Sequence, residues 1–204
     1  MLEAIDLAAR RGGTQLFSSL SFKAEPGCVL LVTGANGTGK TTLLRILAGL
    51  GTPSAGQVRW RGEDVAPFAQ SLREDAVFCG HLTALKDELT VEENLAALIT
   101  LAGESASRSD LREALANVAL ERKAGLSARA LSQGQRRRIG LARLTLTHRP
   151  LWLLDEPVTA LDSAGIALLT RLISAHLERG GYAVAATHQA MDLPAEQVRA
   201  LTLS

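Results

Sequence analysis

The segment Val29-Leu-Leu-Val-Thr-Gly34-Ala35-Asn36-Gly37-Thr38-Gly39-Lys40-Thr41-Thr42 carries three local signals in one short stretch. Val29–Thr33 is a continuous apolar run, as expected of a strand buried on both faces. Gly34–Gly39 interrupts it, and Lys40–Leu50 has helical periodicity that ends at Gly49 and Gly51. Gly34 to Thr41 matches GxxxxGK[ST] in the strand–loop–helix context that this pattern requires. Small residues let backbone N–H groups wrap phosphates, and the following helix points its positive end at them. Lys40 supplies a point charge, the Thr41 hydroxyl suits a Mg²⁺ coordination site, and Thr42 extends the phosphate-binding set. The bland alternative is an ordinary Gly-rich turn, and the flanking strand and helix weigh against it.

Outward from this segment, the composition fits an α/β domain. The chain has 204 residues, 47% of them apolar but only 3% aromatic, so the core must be aliphatic. Short strands are expected at Leu2–Leu7 and Leu16–Ala24, around the turn Arg11-Gly12-Gly13, and Glu25-Pro26-Gly27 closes that region. A β-like stretch at Val58–Trp60 precedes a turn at Arg61-Gly62-Glu63-Asp64. From Leu89 to about Leu146 the character is helical, with Leu95, Leu98, Ile99 and Ala102 on one face and Leu111, Leu115 and Val118 on another. Strand Leu151–Leu154, helix 163–178 and strand Tyr182–Thr187 follow. The simplest parse is one domain, with a core of 1–81 and 147–204 and a helical insertion of 82–146.

The net charge of +1 gives no bulk attraction to nucleic acid or anionic lipid. Met1–Arg10 holds acids and no continuous apolar stretch, so it does not read as a signal peptide. The apolar runs are strand-sized, far below the ~20 residues of a membrane span. The chain is therefore expected to be cytosolic, and held by a partner if it works at a membrane. Cys28 and Cys79 form no CxxC, and read as small hydrophobes in a reducing compartment.

Leu151-Trp-Leu-Leu-Asp155-Glu156-Pro157 is a buried strand ending in acids, a Walker B arrangement. Asp155 can reach Mg²⁺ through water, and Glu156 can polarise an attacking water. Taken alone, such a run is often just a strand end. The residues Leu131, Ser132, Gln133, Gly134 and Gln135 lie at a helix N-terminus, where Ser and Gly make an anion-binding surface. This stretch resembles the LSGGQ signature of ATP-binding cassette proteins. Thr159-Ala-Leu-Asp162 resembles their D-loop, and His188 resembles their switch histidine. The resemblance covers the whole chain. It implies a P-loop NTPase (RecA-like) α/β core with an N-terminal antiparallel β-subdomain and an inserted helical subdomain. It also implies ATP hydrolysis with Mg²⁺, with Glu156 and His188 catalytic and Thr41 and Asp155 on the metal. Two identical chains would pack head to tail, each ATP held by Gly34–Thr42 of one and by Leu131–Gln135 of the other.

Two positions depart from the family pattern. The glutamine expected before the helical insertion is replaced by His81, in Cys79-Gly80-His81. The adenine-stacking aromatic, counted back from Lys40, is replaced by Arg11, which can lie over a purine but reads equally well as part of a solvated turn.

These departures resemble one subfamily, the ATPases of the bacterial cytochrome c maturation system. Gln135-Arg-Arg-Arg138, Pro150-Leu-Trp-Leu-Leu-Asp155 and Thr187-His188-Gln189 add to that likeness, as does the short chain, with no room after His188 for a regulatory domain. The subfamily implies a peripheral subunit at the cytoplasmic face of the inner membrane, with integral membrane subunits as partners. ATP would drive haem handling and the release of a haem chaperone. Haem would be reached only indirectly, because CxxCH is absent and the four histidines are scattered. His81–Leu89 is the candidate docking segment for a membrane partner, and Arg136–Arg138 reads as a solvated helix face.

The alternative within the family is the motor of an exporter with another substrate. Cassette ATPases of DNA repair insert long coiled coils between phosphate loop and signature, and no heptads occur here. Translation-associated cassette factors need two cassettes, and this chain has one. A nucleotide-binding regulator without turnover would not require Glu156 and His188.

Overall fold

The computed structural model describes residues 1–81, 84–189 and 191–204. In chain order the first elements are β1 (Leu2–Arg11), β2 (Thr14–Ala24), β3 (Val29–Thr33), α1 (Lys40–Leu47), β4 (Ala55–Trp60) and β5 (Glu63–Val65). Then come α2 (Gln70–Asp75), β6 (Ala76–Cys79), α3 (Val91–Leu101), α4 (Arg108–Asn117) and α5 (Gln133–Leu146). The chain finishes with β7 (Leu151–Asp155), α6 (Ser163–Glu178), β8 (Tyr182–Ala186) and β9 (Val198–Thr202). No helix among the described residues is long and apolar enough to cross a membrane.

Two compact units divide these elements. The first comprises Met1–Gly80, Arg149–Pro157 and Ile173–Ser204. The second comprises His81–His148 and Val158–Leu172, so the stretch after Pro157 groups with the helices rather than with the core.

The first unit holds two sheets. An antiparallel sheet has the order β2-β1-β4-β5, and a parallel sheet the order β6-β7-β8-β3-β9. Their buried residues form one cluster that runs from Leu2, Leu7, Val58 and Trp60 through Leu43, Leu44 and Leu47 of α1 to Leu151, Leu153 and Val184. Two hairpins in the antiparallel sheet close on two residues at positive φ, Gly12-Gly13 and Arg61-Gly62, the primed geometry that matches strand twist. The second corrects the four-residue turn expected at Arg61–Asp64, because Glu63 and Asp64 already pair with Trp60 and Arg59. Helix α1 stops at Leu47, short of the Leu50 expected from periodicity. The edge strands β6 and β9 have no counterpart among the expected elements.

The second unit packs α3, α4 and α5 against one another. Leu95, Ile99, Leu111, Leu115 and Val118 are buried, as the apolar faces of the sequence required, and Ile139 of α5 is buried as well. Val91 and Asn94 join that interior, while Leu98 and Ala102 are only half-buried.

Candidate nucleotide site

The C-terminal edge of the parallel sheet gathers the chemistry of the first unit. Asp155 pairs with Ala186, and Ala186 with Val32, so the ends of β7, β8 and β3 share one row. The loops after these strands therefore leave from the same edge: Glu156 after β7, Thr187 and His188 after β8, and Gly34 directly after β3. Ligands of open parallel sheets bind at this edge.

The loop Gly34–Gly39 leaves β3 beside the last residues of the chain. Gly34 sits at φ 141°, and a Cβ there would lie 2.4 Å from the Leu203 carbonyl oxygen, so no side chain fits. Thr38 braces the loop by donating from Oγ1 to the Ala35 oxygen at 3.0 Å. Ala35, Asn36 and Gly37 form its exposed crest. Lys40 is 8% exposed, and its ammonium donates to the Gly34 and Ala35 oxygens at 2.8 and 3.0 Å, which folds its charge over the loop. Helix α1 begins at Gly39, with no side-chain cap and no acid in its first turn. By contrast, α3, α4 and α5 each open with a capping box. The first amides of α1 are thus positive and uncompeted, which suits an anion.

Thr41 and Asp155 meet side by side. Thr41 donates from Oγ1 toward both carboxylate oxygens of Asp155, at 3.0 and 2.9 Å. Asp155 is only 2% exposed. A buried hard-oxygen pair fits Mg²⁺, which favours one or two protein oxygens, substrate phosphates and water over an all-protein cage. No group of three or more His, Cys, Asp or Glu among the described residues could hold a metal ion.

Glu156 begins the turn after β7, at a left-handed φ of 47°. Its amide donates to the Ala186 oxygen at 2.8 Å, which pins the residue across β8. His188 Nδ1 lies 3.1 and 3.3 Å from the two Glu156 oxygens. A carboxylate only accepts, so the proton of this contact sits on Nδ1. The carboxylate is mostly shielded and the imidazole mostly exposed, an acid–base pair with one member open to solvent. Arg11 ends β1 as an exposed hairpin residue opposite Thr14.

In the second unit, Leu131 is buried and Ser132 caps α5. Ser132 Oγ accepts from the Gln135 amide at 3.3 Å, and the Ser132 amide donates to Gln135 Oε1 at 3.2 Å. Gln133 is exposed on the first turn. Gly134 faces the loop after Pro157, since a Cβ there would lie 2.5 Å from the Ala160 oxygen. Asp162 accepts from the Gly165 amide at 2.9 Å and from Arg138 at 2.7 Å. His81 is exposed, and its carbonyl accepts from Arg137 Nη1 at 3.1 Å.

The arginine run departs from expectation. Arg136 pairs with Asp87, Arg137 is buried against the His81 carbonyl, and Arg138 pairs with Asp162, so Arg136–Arg138 is not a solvated face. Asn94 is a further residue that the sequence reading passes over: 2% exposed, it binds Lys86, Leu89 and Thr90 and shapes the segment before α3. Its one signal is an amide side chain on the otherwise apolar stripe of α3.

A model of the family described as ABC transporter matches residues 17–159. A protein of Dechloromonas aromatica named "Cytochrome c biogenesis ATP-binding export protein CcmA" is 49% identical over 203 residues, covering 100% of both chains. The chain belongs to the ABC transporter family. Proteins with the same name in Pseudomonas aeruginosa and Vibrio vulnificus are 46% and 40% identical to this ABC ATPase, over 97% and 100% of the chain and 97% and 99% of theirs. Among solved structures, a putative ABC transporter ATP-binding protein of Pyrococcus furiosus superposes with a TM-score of 0.84, at 25% identity over 99% of this chain and 96% of that one. The ATP-binding cassette MJ0796, a dimer in a post-hydrolysis state bound to ADP and Pi, matches with a TM-score of 0.78, at 25% identity over 93% and 88% of the two chains.

Proposed function

We propose that this ABC ATPase is the ATP-hydrolysing motor subunit of a bacterial inner-membrane complex of cytochrome c biogenesis. Integral membrane subunits would hold it at the cytoplasmic face, and its ATP cycle would drive haem handling and release of a haem chaperone. Full-length similarity to proteins named for cytochrome c biogenesis supports this role. The whole chain, residues 1–204, acts as one nucleotide-binding domain.

The carrying observation is the Glu156–His188 pair at the strand edge, one residue beyond the Thr41–Asp155 pair. The amides and small residues of Gly34–Thr42 cradle the phosphates of ATP, and Lys40 turns from the loop carbonyls to the phosphate charge. Thr41 and Asp155 hold Mg²⁺, which neutralises phosphate charge when bound. Glu156 orients and deprotonates the attacking water, while His188 bridges towards the γ-phosphate and keeps the Glu156 carboxylate in place. Arg11 lies over the adenine, and His81 stands where relatives carry the Q-loop glutamine. Leu131–Gln135 of a second copy, with Asp162 beside it, completes the site in a head-to-tail dimer. Hydrolysis removes the ligand that joins the two copies, and the dimer opens.

The Glu156→Gln chain tests this reading. It should bind Mg-ATP, lose turnover by about 10²–10⁴-fold, and elute as a dimer with Mg-ATP on size exclusion. Normal hydrolysis by this variant would remove Glu156 from the chemistry, and an unchanged monomer peak would remove the sandwich.

A further inference from the structure

We propose that Arg138 is a positioning residue that locks the D-loop, Thr159–Asp162, onto the signature helix. The two would then reach the partner subunit's nucleotide as one preformed surface. This rests on the proposed sandwich, in which the signature of one copy closes on ATP held by the other. Three observations within the helical unit carry it.

First, Arg138 Nη2 donates to Asp162 Oδ1 at 2.7 Å, and the arginine is 16% exposed where the aspartate is 68% exposed. The shielded partner is therefore the one on α5, and it reaches out to fix an exposed loop end. The same Oδ1 accepts from the Gly165 amide, so one oxygen ties the loop to the start of α6 and to α5 together. These contacts, the Gly165 amide foremost and Arg138 next, hold the Asp162 carboxyl below its ordinary range.

Second, the loop needs holding. Ala160 sits at φ 65°, a left-handed conformation that is strained for a non-glycine residue. Inside the loop, the Leu161 amide braces it by donating to the Val158 oxygen at 3.1 Å, a single short-range bond. Third, the strained residue is the one pressed on the signature: a Cβ at Gly134 would fall 2.5 Å from the Ala160 oxygen. A loop released from Arg138 would leave that contact, and dimer closure would have to order it again. Arg136 and Arg137 point to other segments, Asp87 and the His81 carbonyl, so Arg138 is the member of the run directed at this loop.

The experiment uses the full chain with Mg-ATP. In the Glu156→Gln background, Arg138→Ala should weaken the dimer measured by analytical ultracentrifugation about three- to tenfold, the range for two partly exposed ion pairs per dimer. In the wild-type background it should lower kcat while KM stays within about twofold. A role confined to fold stability would instead lower the melting temperature and leave the dimer constant alone. Asp162→Asn keeps an acceptor for the Gly165 amide but gives up the charge, so it should act like Arg138→Ala, and the double variant should be no worse than either. Arg138→Lys should recover part of the loss. Unchanged dimerisation by Arg138→Ala, or additive effects in the double variant, would overturn the proposal. If the Glu156→Gln parent itself stays monomeric, the sandwich reading falls and takes this proposal with it.

Discussion

His176 shows what a single residue conceals in the sequence. It stands near the end of α6 at 5% exposure, its ring stacked on Trp152 with centroids 3.9 Å apart and planes 9° from parallel. Nε2 lies 3.1 and 3.2 Å from the carbonyl oxygens of Pro150 and Tyr182, so the neutral ring carries its proton there. Gly181 makes room, since a Cβ at that position would come within 2.3 Å of the ring. Burial pushes the His176 pKa down, the two carbonyls oppose it, and Arg179 lowers it further. A histidine titrating lower in the folded chain than its ordinary ~6.5 makes its full contribution to stability above that value. The contribution fades as pH falls from there through the folded pKa. The melting temperature should therefore drop between about pH 7 and pH 5, and His176→Phe, which keeps the stack, should flatten that slope. Parallel slopes for the two proteins would refute the assignment. Nothing in a helical Ser-Ala-His-Leu run announces such a contact, because its partners come from two other stretches, Pro150–Trp152 and Gly181-Tyr182. Lys40, Thr41 and Asp155 are legible for the opposite reason: each is fixed by its immediate neighbours in a strand-loop or strand-end pattern.

At the scale of elements, legibility tracks length and periodicity. Strand β7, buried along all five residues, and helix α1 after its glycines can be read directly. Strand β6 has only four residues and joins α2 without a break, so no turn residue marks it. Strand β9 is an edge strand with no residue fully buried, and its Val-Arg-Ala-Leu-Thr sequence lacks the apolar density of β3 or β8. The first turns of α5 mislead because charge periodicity on a helix does not say whether carbonyls or carboxylates face it. Asn94 Oδ1 accepts from the Lys86 amide at 2.8 Å, and Nδ2 donates to the Lys86, Leu89 and Thr90 oxygens at 3.0, 3.2 and 2.9 Å. Asn94→Ala leaves those groups without this partner at a cost of about 2–4 kcal/mol. Hydrogen exchange should show the Lys86 amide losing protection by a factor of about ten or more, while the amides of β7 keep theirs. Equal protection in both proteins would mean that Ser127 and Arg136, which also hold this segment through Asp87, suffice without Asn94.

For the whole molecule, the division into a sheet unit and a helical unit separates the groups proposed to bind ATP from those proposed to complete the partner's site. The phosphate loop, Asp155, Glu156 and His188 belong to the first, and Ser132, Gly134 and Asp162 to the second. Composition exposes the class of the fold but not this partition, because the residues 158–172 join the helices through contacts that no local pattern encodes. In a host lacking its own copy, the Glu156→Gln chain should assemble with the proposed membrane partners yet fail to restore c-type cytochromes. Cytochromes of b-type, which need no covalent attachment of haem, should stay normal. Haem-stained gels of membrane fractions would read both, and a full c-type signal would detach hydrolysis from maturation.

The order of the parallel sheet also sets a timetable for synthesis. Strand β3 is flanked by β8 and β9, and both lie far downstream of it in the chain. While a ribosome makes the residues between them, at about 5–20 per second, the run Val29–Thr33 waits on the order of ten seconds with both edges unpaired. The loop that hangs from β3 gains its final packing only then, since Gly34 lies against Leu203. Until Val198–Thr202 has emerged, a nascent chain thus keeps the apolar run Val29–Thr33 without either of its strand partners, an interval in which such a run is prone to misassociate.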